Sequence, residues 1–358
     1  MAVLLFLGGL ALLVVGAEVL VRGASRLALS VGISPLVVGL TVVAFGTSAP
    51  EMAVSVQSAA SGRADLALGN VIGSNIFNVL FILGLSALIV PLLVARQVIR
   101  QEVPVMIGAS LLLFLLGADG RIGRADGVVL LGLLLGYTVF LVRQSRHRNR
   151  ASGAELPDAA SAPAAWERRL PVQLFFIVAG LGLLVLGATW LVEAAVAFAQ
   201  HFGVSELVIG LTIIAVGTSL PEVATSIVAA LRGQRDIAVG NAVGSNVFNI
   251  LAVSGLASVT SPSGMAVAPS VLAFDLPVMI AVAVACWPIF FTGNRIARWE
   301  GALFLALYAA YMGYLLLAAQ QHDALRPYGA VLTLAVLPLV GLALLVVAWR
   351  EWHARRDA

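Results

Sequence analysis

Residues 39–84 read GLTVVAFGTSAPEMAVSVQSAASGRADLALGNVIGSNIFNVLFILG, and residues 210–255 read GLTIIAVGTSLPEVATSIVAALRGQRDIAVGNAVGSNVFNILAVSG. The two stretches align without a gap at a constant offset of 171, and 24 of the 46 positions are identical. Each copy carries one glutamate, Glu51 or Glu222, in the middle of an apolar run. Polar residues are among the best-matched positions, although they are costly in apolar surroundings. Common ancestry alone does not explain that bias; a site shared by the two copies does.

Composition places those runs in a membrane. Of 358 residues 61% are hydrophobic and 11% charged, whereas a soluble domain carries about a quarter charged residues. Apolar runs of about 20 residues recur along the chain, the length that a hydrocarbon core of ~30 Å demands of a helix. They lack the alternation of barrel strands, so helices must satisfy the backbone. Spans are expected at 2–22, 34–61, 66–90, 103–118, 126–143, 171–192, 206–231, 237–259, 271–291, 300–318 and 328–349. The first, with no basic segment before it, reads as a span and not as a cleaved signal.

The polar stretch 144–170 reads as a linker between a first repeat, 1–143, and a second, 171–319; residues 320–358 add one more span and a tail. Five spans separate corresponding helices. That number is odd, so the copies must be inverted in the membrane, the arrangement that places a shared site at the midplane. The expected fold is therefore an all-α polytopic membrane protein of two inverted five-helix repeats, ten transmembrane helices in all, plus a C-terminal one. Every basic side chain among the 21 is an arginine. With the N-terminus outside and the C-terminus cytoplasmic, 17 of them fall inside and only Arg63, Arg121, Arg124 and Arg326 fall outside, as the positive-inside rule requires. The Arg-only, Ala/Leu-rich style looks bacterial and suggests an inner (plasma) membrane.

A carboxylate at mid-span costs several kcal/mol unless partnered. No arginine lies at comparable depth in these spans, so a mobile cation is the expected partner of Glu51 and Glu222. Thr47 and Ser48, four and three residues before Glu51, should share a helical face with it, as should Thr218 and Ser219 with Glu222. Pro50 and Pro221 should free carbonyls around Ala44–Gly46 and Ala215–Gly217. Ser74 with Asn78, and Ser245 with Asn249, also share a face. Asn75 and Asn246 fall on another face, where a bond between helices is as plausible as a ligand role. Gly69, Gly73, Gly240 and Gly244 suit close helix packing. Asp65 and Asp236 read as N-caps, and Glu102 and Asp275 as interfacial carboxylates or vestibule attractants. All candidate ligands are oxygens. Cys286 stands alone, and His147, His201, His322 and His353 lie in loops or the tail. Hard cations such as Na⁺ or Ca²⁺ therefore fit, whereas Zn²⁺, Cu⁺ and haem do not.

These residues resemble the α-repeats of the Ca²⁺/cation antiporter superfamily, in particular its prokaryotic sodium/calcium exchanger branch. GTSAPE at 46–51, GTSLPE at 217–222 and the following G-S-N-x-F-N in both halves carry the resemblance. It implies that Glu51 and Glu222 bind Ca²⁺ together, with backbone oxygens of Thr47 and Thr218. It implies Na⁺ sites at Ser48, Ser74 and the Ala44 carbonyl, and at Ser219, Ser245 and the Ala215 carbonyl, with Asn78 and Asn249 completing the centre. Position 249 is Asn where some relatives carry Asp, so the site holds charge −2 and not −3, which speaks against K⁺ cotransport. The expected function is Na⁺/Ca²⁺ antiport by alternating access, electrogenic if three Na⁺ are carried, with the first and sixth helices sliding over a fixed core. No cofactor, nucleic acid or obligate oligomer is expected; Na⁺, Ca²⁺ and the bilayer are the partners. An H⁺/Ca²⁺ antiporter is the nearest alternative. A channel would need rings of like subunits, and an intramembrane serine enzyme would need a base at depth, which the chain lacks.

Overall fold

In the computed structural model, residues 2–152, 169–201, 215–332, 334 and 337–356 are described. Most of the expected linker, 153–168, and the start of the seventh span, 202–214, lie outside them. The chain is helical because lipid offers no hydrogen bonds to an open backbone. In order the helices are α1 (Ala2–Val31), α2 (Pro35–Thr47), α3 (Ala49–Ala60), α4 (Asp65–Ile89), α5 (Val98–Leu116), α6 (Arg124–Ser152) and α7 (Leu170–His201). A helical turn, Ala215–Gly217, precedes α8 (Leu220–Leu231), followed by α9 (Arg235–Thr260), α10 (Val271–Asn294), α11 (Arg298–Ala319), α12 (Leu325–Val331) and α13 (Leu337–Arg356).

Among the described residues eight helices are long and apolar enough to span a membrane, and α2 with α3, bent by 47°, makes a ninth. These nine correspond, with shifted ends, to nine of the eleven expected spans; the seventh, 206–231, is described only from Ala215 on, as the short turn and α8. The eleventh, 328–349, corresponds to α12 and α13, between which residues 333, 335 and 336 lie outside the described set. Neither Asp65 nor Asp236 is an N-cap. Arg63 and Gln234 hold those places, and the acids fall in the first turn, where they still complement the helix dipole.

Burial separates centre from periphery. Of the spanning windows, 89% of α9 and 72% of α4 are buried, against 22% of α6 and 6% of α11. The two Gly-Ser-Asn helices therefore form the core, and the outer helices present their leucines and valines to lipid. Outside that core, α1 and α7 cross at glycines. A Cβ on Gly180 would lie 2.6 Å from the Leu20 nitrogen and 2.9 Å from the Gly16 oxygen, and one on Gly9 would lie 2.8 Å from the Gly187 oxygen. Only backbone-to-backbone contact fits there.

The inversion of the halves is visible at both rims. Leu92 and Leu93 pair antiparallel with Ile296 and Arg295, while Arg121 and Ile122 pair with Ala266 and Met265. In the first ladder the segment after α4 meets the one before α11. In the second, the segment before α6 meets the one after α9. The repeat exchanges the two. Widened π-helical turns recur in the same way, at Asn78–Leu83 and Asn249–Val253, and at Val98–Glu102 and Val271–Asp275. Such turns are rare and gather at functional sites.

Candidate cation site

The bend between α2 and α3 falls on Ser48, whose backbone leaves the helix at φ −80°, ψ 8°; Ser219 repeats it at φ −90°, ψ 8°. Pro50 and Pro221 then sit in the first turn of the next helix, where a missing N–H is harmless. At Ala44 the expected freed carbonyl is not found. The Ala44 oxygen keeps the Ser48 N–H at 3.0 Å and accepts the Thr47 hydroxyl at 3.4 Å. Ala215 opens the equivalent turn in the second half, and Thr218 lies between that turn and α8.

The same bend overturns the expected pairing of each serine with its own glutamate. Because Ser48 and Ser219 are not helical, the three-residue spacing no longer puts them on the carboxylate's face. Instead the hydroxyls cross the pseudo-two-fold axis: Ser219 Oγ donates to Glu51 Oε1 at 2.7 Å, and Ser48 Oγ donates to Glu222 Oε1 at 3.0 Å. Both glutamates are 1% exposed.

The other carboxylate oxygens are left over. Glu51 Oε2, Glu222 Oε2, Asn78 Oδ1 and Asn249 Oδ1 are buried and have no hydrogen-bond donor among the described residues. Buried polar atoms in folded proteins are overwhelmingly paired, and the twelve exceptions among the described residues include these four oxygens of the matched motifs. All four are acceptors, two of them carry formal charge, and two come from each half. Each of the four is an oxygen, the donor type that suits a hard cation.

Around these oxygens the asparagine amides are held by polar neighbours. Asn78 Nδ2 donates to Asn246 Oδ1 at 3.1 Å and Asn249 Nδ2 to Ser74 Oγ at 3.0 Å. Ser74 itself donates to the Asn70 carbonyl at 2.7 Å, whereas the buried Ser245 Oγ has no partner among the described residues. Asn246 is thus the residue that bonds between helices; Asn75 donates to Val71 O of its own helix at 2.7 Å.

Two residues without an assigned role in the sequence prove central. Asn70 Nδ2 donates to the Glu51 carbonyl at 3.2 Å and to Ser55 Oγ at 2.9 Å; Asn241 Nδ2 donates to the Glu222 carbonyl at 3.3 Å and to Ser226 Oγ at 3.0 Å. Asn241 Oδ1 also accepts the Thr47 hydroxyl at 3.0 Å, which engages the side chain of a threonine expected to act through its backbone. These amides pin the helix that carries each glutamate. The signal was present: Asn70, Asn241, Ser55 and Ser226 all match at the repeat offset. Glu102, by contrast, has partners outside this set. It is fully buried and accepts from Gln97, Gln101 and Tyr137 at 2.8, 2.9 and 2.5 Å. The widened turn at Val98–Glu102 draws it inward.

Known proteins resemble this chain in sequence and fold. The sodium/calcium exchanger protein family matches residues 1–143 and 172–317. The putative antiporter CaxA of Alkalimonas amylolytica is 40% identical over 327 residues, covering 89% of this chain and 99% of its own. The sodium/calcium exchanger MaX1 of Methanosarcina acetivorans is 32% identical over 340 residues, covering 86% of this chain and 97% of its own. A solved structure of the sodium-calcium exchanger NCX_Mj superposes with a TM-score of 0.75 at 31% identity, over 88% of this chain and 98% of that one. With sequence and fold matched along most of its length, the chain is an integral membrane transporter that belongs to the sodium/calcium exchanger protein family.

Proposed function

We propose that the chain exchanges Na⁺ for Ca²⁺ by alternating access, with both cations using one site built from the two halves. One observation carries this reading: four buried oxygens without donors, contributed equally by inverted repeats and including two carboxylates. Glu51 and Glu222 with Asn78 and Asn249 form the centre. Thr47, Ser48, Ser74 and the Ala44 carbonyl flank it on one side, and Thr218, Ser219, Ser245 and the Ala215 carbonyl on the other. The family and the named exchangers support both cations as substrates.

The charge count sets the coupling. One Ca²⁺ neutralises the two glutamates, as do two Na⁺; a third Na⁺ leaves one positive charge and makes the cycle sensitive to voltage. The empty site keeps two uncompensated charges, so reorienting it is unfavourable, and exchange is enforced over leak. The repeats are taken as 1–143 and 171–319 with the linker between them. The arginine distribution supports an N-terminus outside and a C-terminus inside.

The test is Ca²⁺ uptake into proteoliposomes loaded with Na⁺, against vesicles loaded with K⁺ or given only a pH gradient. Uptake from the Na⁺-loaded vesicles alone is the expected result. Uptake driven by pH alone would transfer the coupling to H⁺, and uptake in no condition would overturn the proposal.

A further inference from the structure

The centre of the site breaks the symmetry of the repeat, and it does so in matched pairs. Asn78 donates to Asn246 Oδ1, but its counterpart Asn249 does not donate to Asn75 Oδ1; it donates to Ser74 Oγ. Exchanging the halves by the offset of 171 converts these two bonds into Asn249 to Asn75 and Asn78 to Ser245. The acceptors those two bonds need, Asn75 Oδ1 and Ser245 Oγ, are both without a partner among the described residues, and both residues are buried.

The surrounding shell follows the same rule. Asn246 Nδ2 donates to Met106 Sδ at 3.3 Å, while Asn75 Nδ2 stays on Val71 O. The repeat turns the first contact into Asn75 with Met279, and Met279 is buried in the matching Pro-Val-Met of α10, which packs on α4 as α5 packs on α9.

We infer that Asn75 and Asn246 are positioning residues that aim the amides of Asn78 and Asn249 in alternation, and that the observed bonds are one of two mirror arrangements, one for each access state. The inference rests on the proposed exchange. Inverted repeats generate their two states by exchanging the surroundings of the halves. A hydrogen-bond set with one vacant acceptor for every occupied one can follow that exchange without a net loss of bonds. When an amide changes acceptor, its Oδ1 must turn with it. The oxygens offered to the cation therefore change with access.

The experiment measures half-saturating Na⁺ separately on each face of oriented proteoliposomes, for the wild type, Asn246→Ala and Asn75→Ala. Asn246→Ala removes the acceptor that Asn78 uses in the observed arrangement, and Asn75→Ala removes the one that Asn249 uses in the mirror arrangement; in the other arrangement each variant loses only an amide bond to its own helix. The ratio of the two half-saturating concentrations is expected to move in opposite directions, each by about 2- to 12-fold, the net worth of one hydrogen bond. A merely structural role would weaken both faces together, so shifts of the same sign, or an unmoved ratio, overturn the inference. Should the alanine variants fail to fold, Met106→Leu and Met279→Leu conserve volume and remove only the sulfur acceptor, and smaller shifts of the same opposite signs are expected. If the wild type exchanges normally and the ratios stay fixed, only this inference falls. If the wild type shows no Na⁺-driven Ca²⁺ movement, the proposed exchange itself fails.

Discussion

Replacing Glu51 or Glu222 by glutamine should abolish Ca²⁺ binding and yet stabilise the ion-free protein. In water-poor surroundings a divalent ion and one unit charge at about 4 Å interact by ~8 kcal/mol at an effective dielectric near 20. Even if desolvation and the amide dipole return half of that, ~4 kcal/mol remains, a loss of about 10³-fold in affinity. Without ions the balance reverses. Glutamine at 51 still accepts the Ser219 hydroxyl through Oε1. Its Nε2 replaces an orphaned Oε2 and can donate to the orphaned oxygens of Asn78 or Asn249. Removing one of two buried, uncompensated charges should then raise stability by about 1–3 kcal/mol. Thermal unfolding in detergent, with and without Ca²⁺, reads both effects. The wild type should gain about 2.7 kcal/mol from Ca²⁺ at a hundred times its dissociation constant; the variants should start higher and gain nothing. A variant that melts earlier than wild type in ion-free buffer, or is still stabilised by Ca²⁺, would refute the reasoning.

Asn241→Ala deletes a fully buried amide that serves Glu222, Ser226 and Thr47. Ca²⁺ affinity should fall about 10- to 100-fold with no change in site charge, the usual effect of losing a group that orients a ligand; Asn70→Ala, at a half-buried position, should cost less in the same binding assay. On α7, Gly180→Ala drives a methyl against the backbone of α1 and should cost about 1–3 kcal/mol. Gly182→Ala, with no described atom within 4 Å of its added carbon, should be neutral or stabilising by about 0.5–1 kcal/mol. Equal melting temperatures for the two would contradict the α1–α7 packing.

The membrane class, the inverted halves and the two glutamates were legible because each rests on something that period and composition express. Apolar length sets the spans, an odd separation sets the inversion, and a matched carboxylate at mid-span stands out against its neighbours. What the sequence hid was pairing across the axis. Helical spacing assigns Ser48 to Glu51, and only the bend at Ser48, a property of one ψ angle, hands it to Glu222 instead. Asn70 was hidden for a related reason: its partner is a backbone carbonyl, which no residue type announces. Glu102 stands in the sequence only as a carboxylate at the edge of an apolar run, and its burial against Gln97, Gln101 and Tyr137 rests on partners that no spacing announces.

The two short ladders at the rims bear on how the chain is made. Each joins segments about 150 to 200 residues apart, one from either half. During synthesis the first half therefore reaches the bilayer with both of its rim strands unmatched; one waits for the segment after α9 and the other for the segment after α10. The halves are thus joined by two stitches made late, and a chain that stops before residue 295 lacks the strand that closes at least one rim.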